Sequence, residues 1–364
     1  MKIRIIRSKF LEGLKKVQNI VVSKGTLQII QNVLIEAKDK QLFLTTTDLD
    51  ISIRSVVPCE VLAEGATTLP VKLLAATIAK AAEGPVDLET DAEDKAVISA
   101  GSAVFNIAGM NVADFPQLPK DSETFAYVLK QMALREMLRK TSYAASQDDT
   151  RKTLKGVLMS FKDAKLTMVA TDGRRLALVE HEVEFPADAE KDIVLPTKVV
   201  AEMQRSLSSD GDVRVTVERS QVSFNLGDTQ IYSKLLDDVY PNYRQVIPTG
   251  CTERVTVERK LLLEALDRVS VMTMDESNST RLTFESNRLT VASAAADVGA
   301  ARDTVPIKYD GETIEIVFNP QFVMDPLKAI DEDEVYIELK NGSSPALIKC
   351  SVPFLYVMMP LRIS

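Results

Sequence analysis

The chain has 364 residues, 45% hydrophobic and 26% charged, the balance of a globular protein with too much length for one ordinary domain. No apolar run approaches the roughly 20 residues of a membrane helix, and Met1-Lys2-Ile3-Arg4-Ile5-Ile6-Arg7 alternates like a strand where a secretion signal would be apolar. Cys59, Cys251 and Cys350 are odd in number and unpatterned, so the sequence predicts a cytoplasmic protein with neither a disulfide framework nor a zinc site. A net charge of −8 counts against a nucleic-acid binder unless the charges are segregated.

The elements recur. Each third opens with an amphipathic helix: Phe10, Leu14, Val17 and Val21 share a face in the first, Leu134, Met137 and Leu138 in the second, and Leu262, Ala265, Leu266 and Val269 in the third. A strand pair follows, over 33–36 and 41–45, 157–161 and 165–169, and 281–284 and 288–291, joined by short polar turns. The pair leads to an aspartate turn. Ala170-Thr171-Asp172-Gly173-Arg174-Arg175-Leu176 is echoed by Thr46-Thr47-Asp48-Leu49-Asp50-Ile51 and more faintly by Ser293-Ala294-Ala295-Ala296-Asp297-Val298, with the aspartates 124 and 125 residues apart. Next, a strand ends at a proline that opens a second helix, at Pro70, Pro196 and Pro320. Further alternating strands close each third.

Such spacing marks an internal repeat. It predicts an α+β chain of three homologous domains, 1–121, 122–251 and 252–364, with linkers at 118–123 and 247–253. Each domain has two helices and about eight short strands.

A threefold two-helix, strand-rich unit that carries Thr171-Asp172-Gly173-Arg174-Arg175-Leu176, Tyr240-Pro241-Asn242-Tyr243-Arg244 and Tyr356-Val357-Met358-Met359-Pro360-Leu361-Arg362 resembles the bacterial sliding clamp family, the β subunit of DNA polymerase III. The resemblance covers the whole chain. It implies a head-to-tail homodimer whose six domains close into a ring around double-stranded DNA, with helices lining the hole. It also implies a non-catalytic processivity factor, without cofactor, that is opened by a clamp loader. Its partners would be the replicative polymerase's catalytic subunit, other polymerases, and repair and ligation proteins. No membrane is involved.

The charge distribution fits that expectation. The six helical segments carry +8, which leaves −16 for the rest of a chain whose total is −8. Cations lining a hole would attract phosphates without reading bases. The residues expected to face DNA are Lys9, Lys16, Lys24, Lys72, Lys80, Arg135, Arg139, Lys140, Arg151, Lys152, Lys198, Arg205 and Lys260.

In the family, partners insert a linear motif into a pocket on the second and third domains. The matching positions here are Leu154, Thr171, Gly173, Arg174, Arg175, Leu176, Pro241, Val246, Ser344, Val357, Met359, Pro360, Leu361 and Arg362. The apolar members would form its walls, while Arg175 and Arg362 would hold polar groups of the peptide. Arg174 and Gln245 stand where some relatives have histidine and arginine, which bears on motif preference, and Gln28 stands where proline is common. The resemblance also places a dimer contact at Phe105 and Ile107 against Val271 and Met272 of the other copy.

Enzyme signatures are missing. His181 is the one histidine, in the charged context Glu180-His181-Glu182, and no phosphate-binding glycine loop or His-Glu-x-x-His motif occurs. Two alternatives stand beside the clamp: a three-domain scaffold that never encircles DNA, and a metal-dependent nuclease built on Asp48/Asp50 or on Asp331-Glu332-Asp333-Glu334.

Overall fold

The structure, a computed structural model, describes residues 1–21, 27–118, 125–273, 279–295 and 299–361. Lys24, Asp297, Arg362 and most of the 118–123 linker lie outside the described residues. The chain forms two compact units, one of residues 1–134 with 201–235 and the other of residues 135–200 with 236–364.

In the first unit, helix α1 (Arg7–Val17) buries Phe10, Gly13, Leu14 and Val17, and α2 (Val71–Lys80) buries Val71, Leu74, Ala75 and Ile78. Gly13 is needed for close approach. A Cβ there would lie 2.5 Å from Val57 Cγ2 and 2.9 Å from Leu44 Cδ1, so a larger residue would force these side chains or the helix to shift. A five-stranded sheet runs in the order Glu60–Ala63, Lys2–Ile6, Pro85–Thr90, Lys95–Ala100, Ala103–Ala108. An eight-stranded sheet runs Ala126–Lys130, Asp212–Val217, Gln221–Asn225, Thr229–Lys234, Ile51–Pro58, Gln41–Thr47, Asn32–Lys38, Gly65–Pro70. In this sheet Thr229–Lys234, from the second repeat, pairs with Ile51–Pro58 from the first, setting Ile231 opposite Ile53.

The second unit holds one twelve-stranded sheet. Its order is Lys191–Pro196, Gly156–Lys162, Lys165–Thr171, Arg175–Glu182, Phe354–Met358, Ala346–Lys349, Glu334–Leu339, Glu253–Glu258, Gly299–Lys308, Arg288–Ala295, Thr280–Glu285, Ile314–Phe318. Here the seam between repeats is Arg175–Glu182 against Phe354–Met358. Helices α3 (Gln131–Thr141) and α4 (Thr197–Ser206) belong to the second repeat, and α5 (Arg259–Ser270) and α6 (Pro320–Ala329) to the third. Each third thus has two helices among its described residues, as the repeat predicts. The expected apolar faces are buried, including Leu134, Met137 and Leu138 on α3 and Leu262, Ala265, Leu266 and Val269 on α5.

The prolines open the second helices in two ways. Pro320 is the first residue of α6, after the cap Asn319, whereas Pro70 and Pro196 end the preceding strands. A second proline, Pro326, lies inside α6 and cannot donate to the carbonyl of Phe322. The Tyr356 hydroxyl donates to that carbonyl instead, at 2.7 Å, so the missing helical bond is replaced from the sheet below.

Candidate functional site

The aspartate turn builds the site's centre. Asp172 Oδ1 accepts from the backbone N–H of Arg174 at 2.8 Å and of Arg175 at 3.0 Å. The Thr171 hydroxyl donates to the Arg175 carbonyl and accepts from Gly173 N–H. This is an Asx turn, which a short acidic side chain forms readily. Gly173 sits at φ +85°, and a Cβ there would meet Arg151 Nη1 at 2.8 Å, so both backbone and neighbour favour glycine. The turn at 47–51 repeats the scheme: Asp48 Oδ1 accepts from Asp50 and Ile51 N–H, and the Thr47 hydroxyl donates to the Ile51 carbonyl. Leu49 there takes φ +80°.

From the turn, strand Arg175–Glu182 runs beside Phe354–Met358 with Leu176 opposite Val357 and Leu178 opposite Leu355. Alternation puts these four side chains on one face. Leu176 and Val357 belong to a buried cluster with Leu158, Val169, Val194, Tyr240 and Leu347, and Leu154 packs against it. Val246 is 53% exposed, Met359 44% and Leu361 38%. Met359 N–H donates to the Arg174 carbonyl at 2.9 Å, and Leu361 N–H to the Val317 carbonyl, so this segment is fixed by its backbone while its side chains stay accessible. Pro241 and Arg174 are exposed nearby in sequence, and Ser344 is held by its N–H on Asn341 Oδ1. The cluster members Leu158, Val169, Val194, Tyr240 and Leu347 are not among the positions expected at the pocket. Leu158, Val169 and Leu347 lie in strands buried along nearly their whole length, and only the pairing puts Leu347 opposite Val357.

Arg175 corrects an expectation. Its guanidinium is bound inside the protein: Nε lies 3.1 Å from Asp172 Oδ2, Nη1 bonds Asp325 Oδ2, and Nη2 donates to the Tyr143 carbonyl at 2.6 Å. It also lies over the Phe322 ring at 4.5 Å. With its side chain 11% exposed, it spends its donors within the protein and ties the turn to α6. Arg151 is likewise recruited to the turn, its Nη1 donating to the Asp172 carbonyl at 2.8 Å, rather than standing free for DNA.

The expected lining cations divide into two groups. Lys9, Lys80, Arg135, Lys152 and Lys260 are exposed and form no ion pair with another described residue, and Lys72 and Lys198 are exposed with other interactions. Lys16, Arg139, Lys140 and Arg205 are already paired with carboxylates. Lys140 is also largely covered, its side chain 12% exposed beside Glu332, which departs from a phosphate-facing role. The hydrogen bond from Arg139 holds the Asp331 carboxyl below the usual carboxylate range.

Of the residues expected at a dimer contact, Val271 is 73% exposed and Phe105 and Met272 are half-buried. Ile107 is not available: at 5% exposure it points into its own sheet's core, opposite Ala96.

The acidic pairs are engaged in structure. Asp48 caps its turn, Asp50 pairs with Lys234 at 3.0 Å, and among the described residues no group of acidic, histidine or cysteine side chains is arranged to hold a metal. Burial raises the Cys350 thiol to about 11, far from a nucleophile's range. Among the described residues no helix is long and apolar enough to cross a membrane.

Comparison with known proteins agrees with the repeat. The chain matches, in succession, the N-terminal, central and C-terminal domains of the DNA polymerase III beta subunit, over residues 1–119, 128–242 and 244–362. It is 31% identical over 363 residues to the beta sliding clamp of Chlamydia muridarum, covering 100% of this chain and 99% of that one. Identity to the beta sliding clamp of Synechococcus elongatus is 33%, over 100% of both. Among solved structures, the DnaN sliding clamp of Bartonella birtlesii bound to griselimycin is 33% identical with a TM-score of 0.95, over 100% of both chains. The sliding clamp of Bacillus subtilis reaches a TM-score of 0.96 at 26% identity, again over 100% of both.

Proposed function

This chain belongs to the DNA polymerase III β subunit family, the DNA sliding clamps that serve replication as processivity factors, and on that premise we propose how it works. Two copies close head to tail into a ring around duplex DNA, and the ring tethers polymerases and other DNA enzymes through the pocket beside the Asp172 turn. No chemical step is assigned to it. The work is topological, because a ring that cannot leave an uninterrupted duplex keeps its partner at high effective concentration. The bacterial cytoplasm is the proposed location, and a clamp loader, the replicative polymerase, other polymerases, and repair and ligation proteins are the proposed partners.

The pocket reading is supported by one observation: Leu176 and Val357, from two different repeats, pair in an apolar cluster, while Met359 and Leu361, just after Val357 in the chain, and Val246, beside Ile247 of that cluster's rim, keep exposed side chains. A linear motif with one or two large apolar residues would seat there, apolar anchors supplying most of the affinity. Griselimycin, bound by the Bartonella birtlesii relative, is a ready probe. The expected result is saturable binding that Met359→Ala weakens about tenfold, which corresponds to roughly 1.4 kcal/mol. Equal affinity for both proteins would move the pocket elsewhere.

For closure, strand Ala103–Ala108 has one pairing partner among the described residues, Lys95–Ala100. Strand Gly299–Lys308 meets Glu253–Glu258 only at Ile307 and Lys308. Edges left open in this way suit pairing across copies, with Phe105, Val271 and Met272 beside them. Val271→Glu is expected to convert a sedimenting dimer to a monomer, and an unchanged sedimentation coefficient would reject this contact.

A further inference from the structure

Lys16, in the last turn of α1, is held by two carboxylates. Its Nζ lies 2.7 Å from Oδ2 of Asp228 and 3.5 Å from Oε1 of Glu12. Asp228 sits in the turn between Gln221–Asn225 and Thr229–Lys234, so the pair links the first helix of one repeat to a hairpin of the next. Both residues border a cavity of about 670 Å³ that Lys15, Arg205 and Glu202 also line. In that same cavity Arg205 is 2.8 Å from Glu202, a carboxylate whose side chain is only 2% exposed. The second unit repeats the pattern, with Arg139 between Glu136 and Asp331.

Cohesion alone accounts poorly for the Lys16 pair. Asp228 is 58% exposed and Lys16 31%, and ion pairs so open to water contribute little to stability. The pair also changes the local charge that a phosphate would meet. A lysine held by a carboxylate no longer offers a full charge to a phosphate at its own position, although its field still adds to the general attraction.

We propose that Asp228 restrains Lys16 from phosphate contact, keeping the hold on duplex DNA weak enough at this position for the protein to move along it. The inference rests on the reading of the helices as a DNA lining. The ligand is the duplex backbone, without sequence preference. Each phosphate contact made by a cation steepens the salt dependence of binding by about 0.9 in log K against log salt. Each is also a contact to be broken at every step along the DNA.

The test is the salt slope of the full-length protein on a short linear duplex, read by fluorescence anisotropy. Asp228→Asn keeps an oxygen for the Thr229 hydroxyl, which donates to Oδ1 at 2.9 Å, so the turn is expected to survive, and a thermal melt checks this. The slope should steepen by about 0.9, equivalent to an additional roughly threefold loss of affinity between 50 and 200 mM salt. Asp50→Asn is the charge-matched control. It breaks a pair with Lys234 at the other end of the same strand, about 20 Å away, and should leave the slope unchanged. Lys16→Gln alone should alter the slope little and should cancel the effect of Asp228→Asn when the two are combined. Equal slopes for Asp228→Asn and Asp50→Asn would overturn the proposal, as would a full loss of 0.9 from Lys16→Gln alone. A wild-type protein without salt dependence on duplex DNA would instead remove the lining reading itself.

Discussion

The same seam between repeats is built twice, with opposite chemistry. After the 47–51 turn, Ile51–Pro58 pairs with Thr229–Lys234, and Lys234 N–H donates to the Asp50 carbonyl at 2.9 Å. After the 171–175 turn, Arg175–Glu182 pairs with Phe354–Met358, and Met359 N–H donates to the Arg174 carbonyl at 2.9 Å. The backbones correspond bond for bond. The side chains do not: Leu176 and Val357 face each other at one seam where Ser52 and Tyr232 do at the other, and Leu178 and Leu355 where Arg54 and Gln230 do. Lys234 closes the first seam with an ion pair to Asp50, whereas Met359 leaves the second apolar and open. The repeat therefore fixes a scaffold, and a few side-chain choices distinguish the seam proposed as a binding site from the one closed by an ion pair.

Exchanging residues between the seams tests this directly. The largest effect belongs to Arg175→Ile, which installs the residue found at position 51. It strands Asp325, 15% exposed, and should lower unfolding stability in urea by about 3–5 kcal/mol, as loss of one partner from a buried ion pair does. Met359→Lys, copying position 234, should reduce griselimycin or motif-peptide affinity by tenfold or more, about 1.4 kcal/mol at least. Because Met359 is at the surface, the urea midpoint should hardly move. Gly173→Leu, copying position 49, should cost about 1–2 kcal/mol through its positive φ and its clash with Arg151, and should weaken the same ligand. The reverse exchange, Leu49→Gly, relieves φ strain at an entropic cost, so its melting temperature should stay close to wild type. Smallest of all, Asp50→Asn should alter stability by less than about 0.5 kcal/mol, since its pair with Lys234 is open to solvent. A ligand site at the first seam, or a Met359→Lys protein that still binds, would undo the comparison.

What the sequence revealed follows from the range of the interactions involved. Helix faces and the aspartate turns at 48 and 172 are local, written in spacings of three to four residues and in single side chains that bond their own backbone, and they are legible. The engagement of Arg175 is hidden in the sequence because, beyond the local Asp172, its partners are remote: Tyr143 is 32 residues away and Asp325 150. The neutralisation of Lys16 by Asp228 and of Arg139 by Asp331, across 212 and 192 residues, was hidden for the same reason. The inward turn of Ile107 is not legible in Ala103-Val104-Phe105-Asn106-Ile107, because the exposed Val104 is apolar and blurs the alternation. Nothing in the structure explains Gln28, which begins a short 3-10 turn.

The central claim is that the hold on DNA is topological. The protein would be assembled on a nicked circular plasmid with its cognate loader, the plasmid then cut once, and retention read by gel filtration at moderate salt before and after cutting. The ring predicts that protein stays on circles and is lost once ends exist. Equal retention on circular and linear DNA would mean ordinary surface binding and would contradict it.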